Sequence, residues 1–364
     1  MLYSGNGAYV PEFDQVRITF ESYLILAGAT ALPALALWVG WVRPRPLLPA
    51  QRHRAVPWSG FEILLILFFV LFFWPALADE ILARSGFLRW LYGPDIDAAA
   101  KTSLHEVAAD RRTLWVSALA WPFQIATLLL LPRALSNTRA YQLGLGSRDW
   151  ARNLVLGWIA WLILAAVVLA CHLLIDWAFR VVSGQSPESH PLIRIFNRGP
   201  LPVEWILVGL SATVWAPALE ELLFRGLLQP WCARREWGGY IPMLAALAFT
   251  LLARWPKLKS AWLNFGSTAL LDGPVLFVLV IIAGYYVLDR ATCVSLSRPR
   301  EARAISGTAL LFAMFHVNVW PTPIPLFLLG LGLGYLAYRT QSLVGPILAH
   351  ALFNAVACVG LLLS

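Results

Sequence analysis

Two carboxylates and a guanidinium stand inside an otherwise apolar stretch of this chain. They are Glu220, Glu221 and Arg225 of Glu220-Glu221-Leu222-Leu223-Phe224-Arg225-Gly226, within the segment from Trp205 to Leu228. A charged side chain near a bilayer centre costs about 2.5–3.5 kcal/mol on insertion scales, so such residues mark a functional site by default. Helical geometry divides their roles. At about 100° per residue, Glu221 and Arg225 share a face, whereas Glu220 points about 100° away. Arg225 is then expected to neutralise Glu221 as a structural ion pair, leaving Glu220 to face a polar cavity as a base. The alternative is that all three form one structural cluster.

Further polar groups sit in later apolar runs: His316 closes Phe312-Ala313-Met314-Phe315-His316, and His350 and Asn354 bound His350-Ala351-Leu352-Phe353-Asn354. His350 and Asn354 are four apart and project from one helical face, and Phe312 lies one turn before His316. A lone His in a span, such as His172 beside Cys171, is ordinarily a helix-to-helix donor. The others share a depth. Counted at about 1.5 Å per residue from the expected cytoplasmic ends, Glu220, His350 and His316 all fall roughly 12–17 Å below that surface. A carboxylate, two imidazoles and an amide in a buried polar pocket suffice to activate a water and stabilise an oxyanion, which is hydrolase chemistry. Glu220, His316 and His350 could instead hold zinc, as two His and a carboxylate do in many hydrolytic centres, although no HExxH is present. There is no GxSxG elbow, and Cys171, Cys232, Cys293 and Cys358 are scattered with no CxxC pair, so neither a disulfide framework nor a cysteine metal site is suggested. Gly330, Gly332 and Gly334 lack the context of a phosphate loop and read as a close helix-packing face.

The elements that must position these groups are membrane helices. Of the 364 residues 59% are hydrophobic and 13% charged, against roughly 25% charged in a soluble domain. The fold class expected is all-α, a polytopic transmembrane helical bundle. Eighteen Trp suit interfacial belts, and the net charge of +8 is scattered between apolar runs. No basic stripe invites nucleic acid. Runs of about 20 apolar residues, the length needed to cross the hydrocarbon, lie near 22–42, 60–78, 113–132, 153–175, 203–228, 270–288, 305–320, 323–338 and 343–363, with a weaker, short candidate at 239–253. That makes nine or ten spans. Basic residues cluster around 43–54, 133–152, 234–235 and 290–303, which makes those loops cytoplasmic. The segments 79–112 and 180–200 are nearly balanced and belong outside; Arg254, Lys257 and Lys259 are the exception. The polar, acidic N-terminus does not resemble a cleaved signal peptide.

These motifs carry a family resemblance. Glu220-Glu221 with Arg225, Phe312 with His316, and His350 with Asn354 resemble the EExxxR, FxxxH and HxxxN motifs of the CPBP family of intramembrane proteases, which includes the eukaryotic CAAX-prenyl endopeptidase and bacteriocin self-immunity proteins. The resemblance covers roughly 203–358 and leaves an N-terminal region of four spans, 1–200, unmatched. It implies that Glu220 activates water, that His316 positions it, and that His350 with Asn354 stabilises the tetrahedral oxyanion. Glu221, Arg225 and Phe312 would support the site. The Asn in place of a third strong ligand favours a chemistry without cofactor, with zinc as the alternative. One departure is the 86 positions from Arg225 to Phe312 where the family has about 30; two apolar segments within an insert at about 239–290 leave the later orientation unchanged.

The function expected is an intramembrane endopeptidase, integral to the plasma (inner) membrane, acting on a membrane-associated peptide or protein, prenylated or leader-type. Its partners are the lipid bilayer and that substrate. Competing readings are a catalytically idle scaffold or immunity-type binding protein, and a transporter relaying protons through Glu220, His316 and His350. The complete motif set weighs against the first. The absence of paired, broken-helix repeats weighs against the second.

Overall fold

A computed structural model of the chain describes residues 48, 51, 53–93, 104–146, 149–184, 194–195, 201–263, 272–290 and 299–363. Its helices are α1 (Gly60–Ser85), α2 (Phe87–Tyr92), α3 (Leu104–Ser136), α4 (Trp150–Ser183), α5 (Pro202–Cys232), α6 (Tyr240–Leu263), α7 (Gly273–Arg290), α8 (Pro299–Met314), α9 (Pro323–Thr340) and α10 (Val344–Leu363). No strand occurs among the described residues. By length and composition α1, α3, α4, α5 and α6 can each cross a membrane, and α7 and α10 hold shorter apolar stretches. The chain is thus an all-α polytopic bundle. The span expected at 22–42 lies outside the described residues, as do most of the loops at 43–52, 185–193 and 291–298.

Two expectations need correction. The segment 239–253, read as short, continues through Arg254 and Pro256 to Leu263 as α6, and Arg254 is neutralised by Asp272 at 2.8 Å, so its charge does not end the helix. The run 305–320 is helical only to Met314. Past that point the backbone turns, with His316 at φ −101° and a short 3₁₀ segment at Val317–Val319 before Pro321 and Pro323. His316 therefore sits just beyond a helix end instead of within a span.

Packing places α8 against α9 and α6, and lays α4 against α9 and α10. Helices of the N-terminal region thus help enclose the later ones. The glycine face of α9 makes close approaches: a Cβ on Gly330 would meet the Ala309 side chain at 3.0 Å, and one on Gly334 would meet Gln229 Oε1 at 2.9 Å. Large apolar side chains such as Phe61, Leu64, Leu174 and Val182 face outward on α1 and α4, as lipid contact requires.

Helices α1 and α5 each contain a π turn followed by a proline. In α1 the π turn is Phe69–Phe73, the Trp74 N–H bonds back to Phe69 O, and Pro75 follows. Val70 O then has no donor in its own helix, because the next candidate is a proline without an N–H. Gln124 Nε2 of α3 donates to it at 2.7 Å. The same arrangement recurs in α5 over Ser211–Trp215 with Pro217, where the Ala216 N–H goes to Ser211 O and Ala212 O is left over. Asn354 of α10 fills that vacancy.

Candidate active site

Helix α5 is α-helical over Ala216–Glu221 and π-helical again over Leu222–Leu228, so the two carboxylates lie between two widened turns. Such bulges frequently accompany functional sites because they redirect side chains and free backbone groups. Glu221 is 0% exposed and Arg225 1%. Arg225 Nη1 donates to Glu221 Oε1 at 2.9 Å, and Nη2 donates to Gly330 O of α9 at 3.2 Å. The guanidinium also lies over the Phe312 ring, 4.5 Å from its centroid. The ion pair expected from spacing is present.

His350 joins this pair to the second carboxylate. Its Nδ1 lies 3.0 Å from Glu221 Oε1, and its Nε2 lies 3.8 Å from Glu220 Oε2. With Glu221 ionised, Nδ1 carries the proton and Nε2 is left facing Glu220. A separation of 3.8 Å is too long for a direct hydrogen bond and suits a bridging water. The Glu220 side chain is 24% exposed, unlike Glu221.

His316 is oriented by the helix end. Because its backbone N–H bonds to Ala313 O at 3.0 Å, Phe312 O remains for its own ring, and Nδ1 sits 3.2 Å from that carbonyl. A carbonyl can only accept, so Nδ1 bears the proton and Nε2 is an acceptor. The Phe312 ring meets both imidazoles edge-on, with centroids 5.5 Å from His316 and 5.7 Å from His350. Asn354 Nδ2 donates to Ala212 O at 2.8 Å, which pins α10 to the first π turn of α5. An amide has two N–H donors, and this bond uses one.

The structure thus gathers Glu220, Glu221, Arg225, Phe312 and His350 directly, brings His316 in through Phe312, and attaches Asn354 through the α5 backbone. It does not gather a metal-ligand set. Among the described residues no three His, Cys, Asp or Glu side chains are grouped as a metal ion would need. Glu220, His316 and His350 are not drawn together here as ligands of one ion. Gln229 was missed. It repeats the Arg225 contact one turn on, donating from Nε2 to Gly334 O at 2.9 Å while 3% exposed. The signal was legible: an amide four residues after Arg225 shares its helical face.

A buried carboxylate–imidazole cluster inside a multi-pass helical bundle can move a proton, as an intramembrane enzyme or a proton carrier would require. Residues 202–292 and 286–356 match the model of the Rce1-like family, described as type II CAAX prenyl endopeptidase Rce1-like. This match to a stretch of the chain is consistent with the resemblance to the CPBP family, and the apolar helices mark an integral, multi-pass membrane protein. No curated protein and no solved structure matches the chain.

Proposed function

We propose that the protein is a glutamate-type intramembrane endopeptidase in which Glu220 activates water. The observation that carries this reading is His350 standing between the two carboxylates, committed through Nδ1 to the buried Glu221–Arg225 pair and facing the accessible Glu220 through Nε2. Glu221 is neutralised. Glu220 is left to accept a proton.

A water held between Glu220 and an imidazole Nε2 gives its proton to Glu220 as its oxygen adds to the scissile carbonyl carbon. His316, with Nδ1 on Phe312 O, has an acceptor Nε2 suited to orienting that water. The tetrahedral oxyanion takes the remaining Asn354 N–H as donor, a group held in place before reaction by its bond to Ala212 O, while His350 holds Glu221 through Nδ1. As the intermediate collapses, the C–N bond breaks and Glu220 passes its proton to the leaving amine. One water is consumed, a carboxylate and an ammonium group are released once the new acid has passed its proton to the amine, and Glu220 returns ionised. The substrate class supported by the family match is a membrane-associated protein cut near its lipidated end, a CAAX-type segment.

The test is cleavage of candidate lipidated and unlipidated peptides by reconstituted protein beside the Glu220→Ala variant, with and without chelator. Activity lost in Glu220→Ala and insensitive to exhaustive chelation is the expected result. Activity abolished by chelation and restored by zinc would replace the glutamate mechanism with a metal-dependent one. Full activity of Glu220→Ala would end the peptidase assignment of this site.

A further inference from the structure

The two ends of the bundle treat their cations differently. Where α1 finishes and α3 and α5 begin, arginines are matched by carboxylates: Arg112 meets Asp79 at 2.6 Å, Arg194 meets Asp110 at 2.7 Å, and Arg111 meets the buried Glu204 at 2.9 Å. At the opposite end α1, α4 and α10 begin and α3 and α5 finish. Contacts hold these segments together: Trp58 Nε1 donates to Leu227 O at 3.1 Å, Arg234 Nη1 to Val56 O at 2.9 Å, and the Leu343 N–H to Gly144 O at 2.9 Å. Five exposed arginines stand there, Arg133, Arg139, Arg152, Arg234 and Arg235, and among the described residues no carboxylate pairs with any of them. Neighbouring carboxylates are engaged elsewhere. Glu236 pairs with Arg300 at 2.6 Å, Glu301 accepts from the Tyr338 hydroxyl, and Glu62 is buried in the cap of α1. Asp149, exposed beside Trp150, offsets one of the five charges at most.

Helix geometry puts these cations at the lipid-facing rim. Arg152 lies three and seven residues before Val155 and Ile159, which are 57% and 42% exposed, so the three share one face of α4. Arg133 likewise follows Leu130, 61% exposed, by three residues on α3. Uncovered apolar side chains on membrane helices face acyl chains, and a long arginine at the end of such a stripe reaches the headgroups. Aromatic groups mark the same level. Trp150 and Trp237 are 58% and 54% exposed, as amphipathic rings at a membrane interface are. Arg235 lies over two indoles, its guanidinium carbon 5.3 Å from the Trp237 ring centroid and 5.9 Å from that of Trp231. Trp231 in turn packs on the start of α1, since a Cβ on Gly60 would meet its indole at 2.8 Å. The cation is thus held in place before any ligand arrives.

We propose that this rim is a docking surface for the anionic phospholipid headgroups of the surrounding leaflet, with Arg133, Arg152 and Arg235 as the phosphate contacts and Trp150 and Trp237 as the interfacial anchors. Charge complementarity selects the partner. Exposed guanidinium groups without carboxylates attract negative headgroups within a Debye length, about 10 Å at 0.1 M salt, and a guanidinium offers a phosphate two parallel N–H donors. A zwitterionic headgroup also carries a phosphate, but its ammonium cancels the net attraction. The surface does not depend on the peptidase reading, because none of these residues belongs to the cluster around Glu220.

The experiment reconstitutes the full-length protein in phosphatidylcholine bilayers. Electron spin resonance of spin-labelled phosphatidylglycerol and phosphatidylcholine then measures how strongly each lipid associates with the protein perimeter. At low salt phosphatidylglycerol should associate at least about twofold more strongly averaged over the perimeter, as roughly fivefold at each of a few guanidinium contacts would give. The preference should vanish near 1 M salt, where the Debye length is about 3 Å. Combining Arg133→Gln, Arg152→Gln and Arg235→Gln should remove most of it, whereas Glu80→Gln with Arg84→Gln, which removes an ion pair at the opposite end, should leave it unchanged. If the combined variant does not fold, the three single variants carry the test, each lowering the ratio. Equal association of both lipids with the wild-type protein at low salt overturns the surface, as does a combined variant that keeps the full preference. Saturable binding of soluble polyglutamate to the wild-type protein, lost in the combined variant and accompanied by no lipid preference, would give the face to an acidic protein and overturn the lipid assignment.

Discussion

Replacing Glu221 with Gln should damage the fold far more than the same change at Glu220, although the residues are neighbours and the substitutions nearly isosteric. Glu221 Oε1 accepts from both Arg225 Nη1 and His350 Nδ1, and both Glu221 and Arg225 are out of contact with solvent. A neutral amide leaves the Arg225 charge uncompensated in an apolar span, and breaking a buried pair in this way costs about 3–5 kcal/mol. Glu220 makes no pairing closer than 3.8 Å and keeps 24% of its side chain exposed, so Glu220→Gln is a change of about 0–1 kcal/mol. The difference, about 2–5 kcal/mol, is a large part of the roughly 5–15 kcal/mol that holds a folded domain. Thermal unfolding of both variants in one detergent measures it, with Glu221→Gln melting well below Glu220→Gln. Removing the stranded charge as well, in Glu221→Gln with Arg225→Met, should recover part of the loss, since the cost lies in the unpaired cation. Recovery will be incomplete because Arg225 also donates to Gly330 O. Equal melting of the two single variants, or a double variant no more stable than Glu221→Gln, would refute the division between a structural and a chemical carboxylate.

Asn354→Ala removes an oxyanion donor and is expected to raise the barrier by about 2.7–4 kcal/mol. Asn354→Asp keeps an oxygen where a donor to Ala212 O is needed, so its melting temperature should fall further than that of Asn354→Ala. The basic segments around 43–58, 133–152 and 290–304 should label as cytoplasmic in cysteine-accessibility experiments on intact cells; strong labelling of position 50 or 295 by an impermeant reagent would invert the topology. Tyr92, outside the spans, has its phenol pushed above the ordinary value of 10.0 chiefly by burial and further by the Glu204 hydrogen bond and charge, while the Trp115 hydrogen bond and the Arg111 charge act in the opposite direction. The folded state therefore holds the proton after the unfolded chain has released it, so this contribution is intact below pH 10 and is lost as pH rises through the folded value. Tyr92→Phe should accordingly show a flatter decline in melting temperature above about pH 10.

The residues of the site were legible because charged and polar groups in apolar runs are rare and costly, and because a spacing of four on a helix defines a face. Glu221 with Arg225 followed from that rule alone, and the glycines of α9 followed from their lack of side chains. The span at 305–320 was misread at its end because hydropathy does not record where a helix stops, and Val317, Val319 and Trp320 are apolar whether or not the backbone turns. What tertiary structure decided were contacts between helices distant in sequence: His350 reaching Glu221, Asn354 capping the carbonyl of Ala212 that Pro217 leaves without a donor, and Arg225 and Gln229 running along the α9 backbone. Such partners are set by how the helices pack and by where π turns release backbone groups. A one-dimensional pattern names the residues that need partners, and only the folded chain supplies them.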